Sequence, residues 1–241
     1  MRGFLPLVCL LGLVVSCGSS DNPPGPLANH FQDMYIAALP LDQKQSIVQA
    51  QQNWNVSQME NANGDAQVKE AESQLHQGRN DAKAAALAVD SANSNKKSAD
   101  ASNDMTRINT ATKDLATAKD VQKAADARVK YLESYLTYLR RYQRYTQENM
   151  YYREAEYENA KAKLAQSNNI NPKGINYPAF PKQLDDRRSR TEGAKSKAES
   201  AKSSVNDVRN NWIHAQETAD RENGHAGVYW DPMAPKVQPT T

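Results

Sequence analysis

The chain has 241 residues, 39% of them hydrophobic and 24% charged, with 3 Phe against 11 Tyr and a mean hydropathy of −0.83. Its 30 basic and 28 acidic side chains leave a formal charge of +2, which argues against both the high net charge of a disordered chain and the basic surplus of a nucleic-acid binder. Much of the apolar fraction is Ala, so a bulky globular core is not expected and long helices with lean seams are.

At the amino end Arg2 precedes the apolar run Phe4 to Val15, broken only by Pro6 and Gly12. Its length falls short of the about 20 residues needed to span a bilayer core. A positive start, a short apolar run and small residues at the junction read as a secretory signal. The alternatives are a plain cleaved signal with an accidental cysteine and a short buried helix.

The junction Val14-Val15-Ser16-Cys17 resembles the lipobox of bacterial lipoproteins, with Val14 where Leu is commonest. The resemblance implies a diacylglyceryl group on the Cys17 thiol, cleavage before Cys17 and acylation of the new amino terminus. Gly18 stands where Asp would retain an enteric lipoprotein in the inner membrane, which points to the outer membrane and the periplasm. Residues 1–16 are then the signal peptide and residues 17–41 the lipidated cysteine with a flexible tether, the Pro/Gly-broken "GSSDNPPGPLAN" at 18–29 opposing helix at the membrane. Cys9 leaves with the signal, so the mature chain has neither an internal disulfide nor a thiolate metal site.

The body follows a heptad template over 42–222. One stripe runs from Ile47 through Trp54, Gly64, Val68, Leu75 and Val89 to Ala92, with small residues at every second place. Another runs Ile108, Leu115, Val129, Leu132, Leu136 and Leu139, resuming at Met150, Tyr157 and Leu164; a third runs Leu184, Thr191, Ala198, Val205, Trp212 and Ala219. Helices are expected at about 42–92, 103–166 and 183–222, measuring about 75, 95 and 60 Å. Asp42 is the expected N-cap of the first, and Asn223-Gly224 the stop of the third. Between the first two, "SANSNKKSADASND" at 91–104 holds no Pro or Gly; a tight turn and a skip in one long helix both fit, and we favour the turn. The break at 167–182 carries three prolines and is firm. The fold expected is all-α, an elongated antiparallel coiled coil or slim bundle of three long helices. Gly64 and Gly78 each cost about 1 kcal/mol in a helix interior, so the first helix is expected to be the softest. Residues 223–241 form an extended tail whose "VYWDP" packs on the bundle or binds a partner.

Within the second helix Tyr131, Tyr135, Tyr138, Tyr142 and Tyr145 recur at steps of four and three, flanked by Arg140, Arg141 and Arg144. They either line a contact with a neighbouring helix, the reading we favour, or form with Arg141 and Arg144 a surface for a protein partner or for self-association, since Tyr and Arg are enriched at interface hot spots.

Catalytic motifs are missing from the sequence. His30, His76, His214 and His225 are scattered, no H-E-x-x-H, G-x-S-x-G or phosphate-binding glycine loop occurs, and the acidic pairs read as solvated helix charges. We therefore expect no enzyme, cofactor, metal, nucleic-acid partner or small-molecule substrate. The expected function is an envelope scaffold, anchored to the membrane through Cys17 and working through a periplasmic rod. Its plan resembles the small helical lipoprotein that tethers outer membrane to peptidoglycan, without that protein's C-terminal lysine, so covalent wall attachment is not implied. The alternative is an accessory subunit of a secretion or efflux apparatus, whose adaptors also use helical hairpins but carry β-rich domains beside them.

Overall fold

The computed structural model describes residues 23–224 and 229–234; the signal run, the lipobox and Cys17 lie outside the described residues. Three helices carry the fold, α1 (Gln45–Asp100), α2 (Met105–Ser167) and α3 (Ala179–Asn223), after short 3-10 turns at Asp33–Ile36 and Leu41–Lys44. The architecture is all-α and elongated, as the stripes predict, and no strand occurs among the described residues. At ~1.5 Å per residue the 63 residues of α2 give a rod about 95 Å long.

The chain reverses at 101–104, so the turn and not the skip is found. α1 runs past residue 92 to Asp100 because Ser, Asn and Lys weaken a helix without breaking it. Asn103 takes the left-handed φ of 52° that closes the turn, and Asp104 caps α2 by accepting from Thr106 N and Arg107 N at 2.9 and 3.2 Å. Asp42 is not the cap expected for α1. It lies in the 3-10 turn that follows Pro40, and Lys44 occupies the cap position without a side-chain bond. α3 starts at Ala179, earlier than 183, because Pro178 and Pro181 fall where backbone N–H groups need no helical partner. Gly224, at φ 73°, ends it.

The helices alternate in direction. Arg79 pairs with Glu133 at 2.8 Å and Arg140 with Glu72 at 3.0 Å, which fixes α1 against α2. Arg190 pairs with Glu148 at 2.8 Å and Trp212 stacks on Tyr131, which fixes α3 against α2. α1 and α3 scarcely meet. The bundle is therefore an open layer with α2 in the middle, and α2 alone buries two sides.

The seams of α1 and α3 follow the predicted stripes: Ile47, Ala50, Ser57, Gly64, Val68, Ala71, Leu75, Gly78, Ala85 and Val89 are buried on α1, and Thr191, Ala194, Ala198, Ala201, Val205, Trp212 and Ala219 on α3. One core cluster joins Leu75, Tyr131, Leu132, Leu139, Val205 and Trp212; a second, at the loop end, joins Phe31, Ile36, Ile47, Tyr157, Ala165 and Phe180. The α1 glycines are points of close approach. A Cβ on Gly78 would stand 2.9 Å from Leu132 Cδ1, and one on Gly64 would stand 3.0 Å from Thr146 Oγ1 and 3.6 Å from Gln143 Cα.

Two terminal segments depart from expectation. The tether expected over 17–41 is docked from Pro23 onward. Leu27, Phe31 and Ile36 are buried, because they supply apolar surface that the loop end of the layer lacks. The Phe31 N–H donates to Glu158 Oε2 at 2.6 Å, and Asn29 N donates to Gln183 Oε1 at 2.9 Å. The tail expected as extended over 223–241 turns at 231–234, and of the two readings of its "VYWDP" the packing on the bundle is found at 229–231, where Asp231 joins α2 to α3.

Candidate functional site

The five tyrosines form one ladder along α2, with successive ring centroids 6.4, 6.1, 6.1 and 6.0 Å apart from Tyr131 to Tyr145. Their environments differ along it. Tyr131 is fully buried and stacks on Trp212 of α3 at 5.1 Å with an interplanar angle of 8°. Tyr135 takes the edge of Trp230 from the tail at 6.4 Å. Tyr138, Tyr142 and Tyr145 are half-buried. Burial raises the pKa of Tyr131 furthest, with the neighbouring Asp231 carboxylate adding to it, and burial raises those of Tyr135, Tyr138 and Tyr142 as well. All of these hydroxyls stay protonated at neutral pH.

Asp231 locks the buried end. It accepts from Tyr131 Oη at 2.6 Å, from Arg209 Nε and Nη2 at 2.8 and 2.6 Å, and from Met233 N at 3.0 Å. Burial alone would raise its pKa; the bonds from Arg209, Tyr131 and the Met233 N–H outweigh burial and hold the carboxyl below its ordinary range. Beside it, Arg128 lies over the Tyr229 ring at 5.5 Å while pairing with Asp81 at 2.9 Å. The tail thus ties α2 to α3 through a carboxylate that belongs to neither helix.

Arg141 and Arg144 do not extend the tyrosine ladder as one patch: Arg141, three residues from Tyr138 and four from Tyr145, stands at its edge, and Arg144 lies farther round the helix. Two residues along a helix turn by about 200°, so Arg144 points away from Tyr142. Arg140, Arg141 and Arg144 line a groove of about 1030 Å³ over the opposite face of α2, between α1 and α3, with no tyrosine in its lining. Arg190 and Lys197 of α3 add to it, against the carboxylates of Asp65 and Glu148. Both carboxylates are engaged. Asp65 accepts from Gln143 at 2.7 Å, and the buried Glu148 accepts from Arg144 at 2.7 Å and Arg190 at 2.8 Å. Glu72 of α1 pairs with Arg140 at 3.0 Å, so the groove keeps a surplus of two positive charges, five cations against three carboxylates. Pro23 lines its wall, and the chain from there is held by Arg187, whose Nη2 donates to the carbonyls of Gly25 and Pro26 at 2.8 and 3.2 Å.

Sequence reasoning missed this groove, the Asp231 lock and the second buried network, in which Lys161 pairs with Asp33 and Glu158 at 2.9 Å each. A usable signal existed for the first: the α2 stripe lapses between Leu139 and Met150, where Thr146, Glu148 and Asn149 are buried. Among the described residues no helix is long and apolar enough to cross a membrane, and no group of three or more His, Cys, Asp or Glu converges. Comparison with protein-family models, with curated proteins and with solved structures finds no match to this chain.

Proposed function

We propose that this protein is a lipid-anchored bacterial envelope protein, attached through Cys17 and working as a structural or interaction scaffold through its helical rod. The observation that carries the proposal is the junction Val14-Val15-Ser16-Cys17, closing an apolar run too short to span a bilayer. The rod is compatible with it. The layer is about 95 Å long and exposes two broad faces of different chemistry, a half-buried tyrosine ladder and a cationic groove. Acyl chains on one residue hold a protein at a membrane where one chain alone binds reversibly.

Intact mass of the protein purified from its native membranes tests the anchor. A chain that begins at Cys17 and carries acyl mass is expected, with Cys17→Ser giving an unprocessed or soluble form; an unmodified Cys17 or a different amino terminus sinks the proposal. A second function, an accessory subunit of an export or efflux apparatus, draws support from the α1–α2 hairpin. Trp212 sits beside Tyr131 and α3 ends at Asn223, so the hairpin tip extends about 20 Å beyond α3. Crosslinking from the tip in intact cells, with identification of what is captured, separates the two.

A further inference from the structure

The amino-terminal segment reaches the rod at its side, not at its end. From Phe31, bonded to Glu158 at the loop end, the chain runs back along α3 past Gln183 and Arg187 and arrives at Pro23 on the wall of the cationic groove. The α2 residues of that groove run from Thr137 to Glu148. Taking Arg144 as its level, the nearer end of α2 at Ser167 is about 35 Å away and the tip at Met105 about 58 Å away.

The covalent reach of the anchor is short. Six Cα steps separate Cys17 from Pro23, and in any conformation they span no more than about 20 Å. A rod standing on its loop end would hold Pro23 about 35 Å above the headgroups, beyond that reach; standing on its tip would be worse. The steepest pose the tether permits is about 35° from the membrane plane, since the sine of the tilt cannot exceed about 20/35.

We infer that the rod lies along the membrane, with the groove of Arg140, Arg141, Arg144, Arg190 and Lys197 seated on anionic lipid headgroups. The inference rests on the lipid-anchor proposal above and replaces an upright spacer with a side-on one. Two observations choose the face. The anchor segment emerges from this groove and so brings it to the bilayer first. The groove also gathers a surplus of two positive charges, Glu72 on Arg140 included, which equals the formal total of the whole chain, and cations held within a Debye length of about 10 Å of lipid phosphates are attracted to them. Arg140, Arg141, Arg190 and Lys197 are exposed, while the two acidic members of the lining are engaged inside it. The tyrosine ladder, on the other face of α2, is left toward the periplasm for protein contacts.

Neutron reflectometry of the acylated protein on a supported bilayer of phosphatidylcholine and phosphatidylglycerol tests this, after intact mass has verified the acyl groups on the same sample. A seated rod gives a protein layer about 25 Å thick, two helix diameters. A layer near 95 Å, the length of α2, overturns the inference and leaves the anchor intact. A sample without acyl mass instead overturns the anchor, and the side-on pose falls with it. The charge argument has its own arm, the double variant Arg141→Gln/Lys197→Gln, which keeps the Glu148 pairs. Its layer is expected to thicken toward about 55 Å, the tip height at the steepest tethered tilt. Far-ultraviolet circular dichroism equal to that of the unmodified chain establishes its fold. An unchanged thickness in that variant overturns the assignment of the groove as the seated face.

Discussion

Asp231→Ala isolates the contribution of the tail to the layer. Tyr131 has 0% exposure, and its hydroxyl donates to Asp231 Oδ1 at 2.6 Å. Removing the carboxylate strands a buried donor, at a cost of about 1–3 kcal/mol. It also ends a two-bond pair with Arg209. Those side chains are 13% and 23% exposed, so solvent screening reduces the charge-assisted contribution to about 1 kcal/mol. Together the loss is about 3 kcal/mol, which lowers Tm by about 6–12 °C in a chain of this size. Thermal unfolding of the mature chain by circular dichroism measures it. Tyr131→Phe removes the donor together with its need, so in the Tyr131→Phe background Asp231→Ala is expected to cost about 1 kcal/mol only.

The sign of the pH dependence is fixed by the depressed carboxyl of Asp231. A carboxyl whose folded pKa lies below its unfolded value of about 3.9 stabilises the protein above that value, and the contribution is lost as pH falls through the folded pKa. The Tm gap between wild type and Asp231→Ala is therefore expected to be constant from pH 7 to about 5 and to narrow below about pH 4. A variant that melts within about 2 °C of wild type at neutral pH refutes the lock. So does a gap that does not narrow in acid.

The glycines give a paired test. Gly64→Ala adds a Cβ 3.0 Å from the buried, β-branched Thr146, so overpacking offsets the helix-propensity gain and stability falls by about 1 kcal/mol. Gly193→Ala on α3 meets nothing within 4 Å and is expected to raise stability by about 0.5–1 kcal/mol; chemical denaturation of both variants checks the contrast. Glu148→Gln leaves Arg144, Arg190 and Arg187 around a neutral group in a site where the carboxylate is 3% exposed. A loss of about 3 kcal/mol is expected in the same measurement, and a neutral or stabilising result would mean that the arginines relax into the solvated groove.

How much of this was legible in the sequence depends on what each residue had to satisfy. Ile47, Val68, Leu75, Val205 and Trp212 are apolar and repeat by heptads, so the α1 and α3 seams could be read one residue at a time. The α2 middle could not. Glu148, Asn149 and Lys161 are ordinary surface types, and their burial follows from Arg190, Glu60 and Asp33 standing across from them on other segments. Periodicity contains no information about partners remote in sequence. The docked segment 23–36 was misread for a related reason: its Pro and Gly content describes the backbone, whereas Leu27 and Phe31 decide where it goes. The tyrosine ladder lay between these cases. Its spacing placed it on one face correctly, but adjacency in sequence suggested a union with Arg144 that a rotation of about 100° per residue disfavours, while Arg141 stands at the edge of the ladder.

The same distinction explains why the layer is open. A closed three-helix bundle requires every helix to present apolar surface to two neighbours, hence two seams each. α1 buries a single row, and Val48, Val56, Met59 and Leu87 stay exposed off it; α3 also buries a single row, rich in Ala. One seam supports one neighbour. Only α2 has two, the row of Leu132, Leu136 and Leu139 and the side turned to α3, where Tyr131 meets Trp212 and Glu148 meets Arg190, so it takes the centre and the outer helices do not close on each other. Openness creates the two faces in turn. Had α1 and α3 met, the cationic groove would be a sealed core, and its five cations would face a desolvation cost of several kcal/mol each. Charged residues in that groove and lean seams on the outer helices are thus mutually consistent features, and a change that added a second apolar row to α3 would be expected to close the layer and expel the arginines.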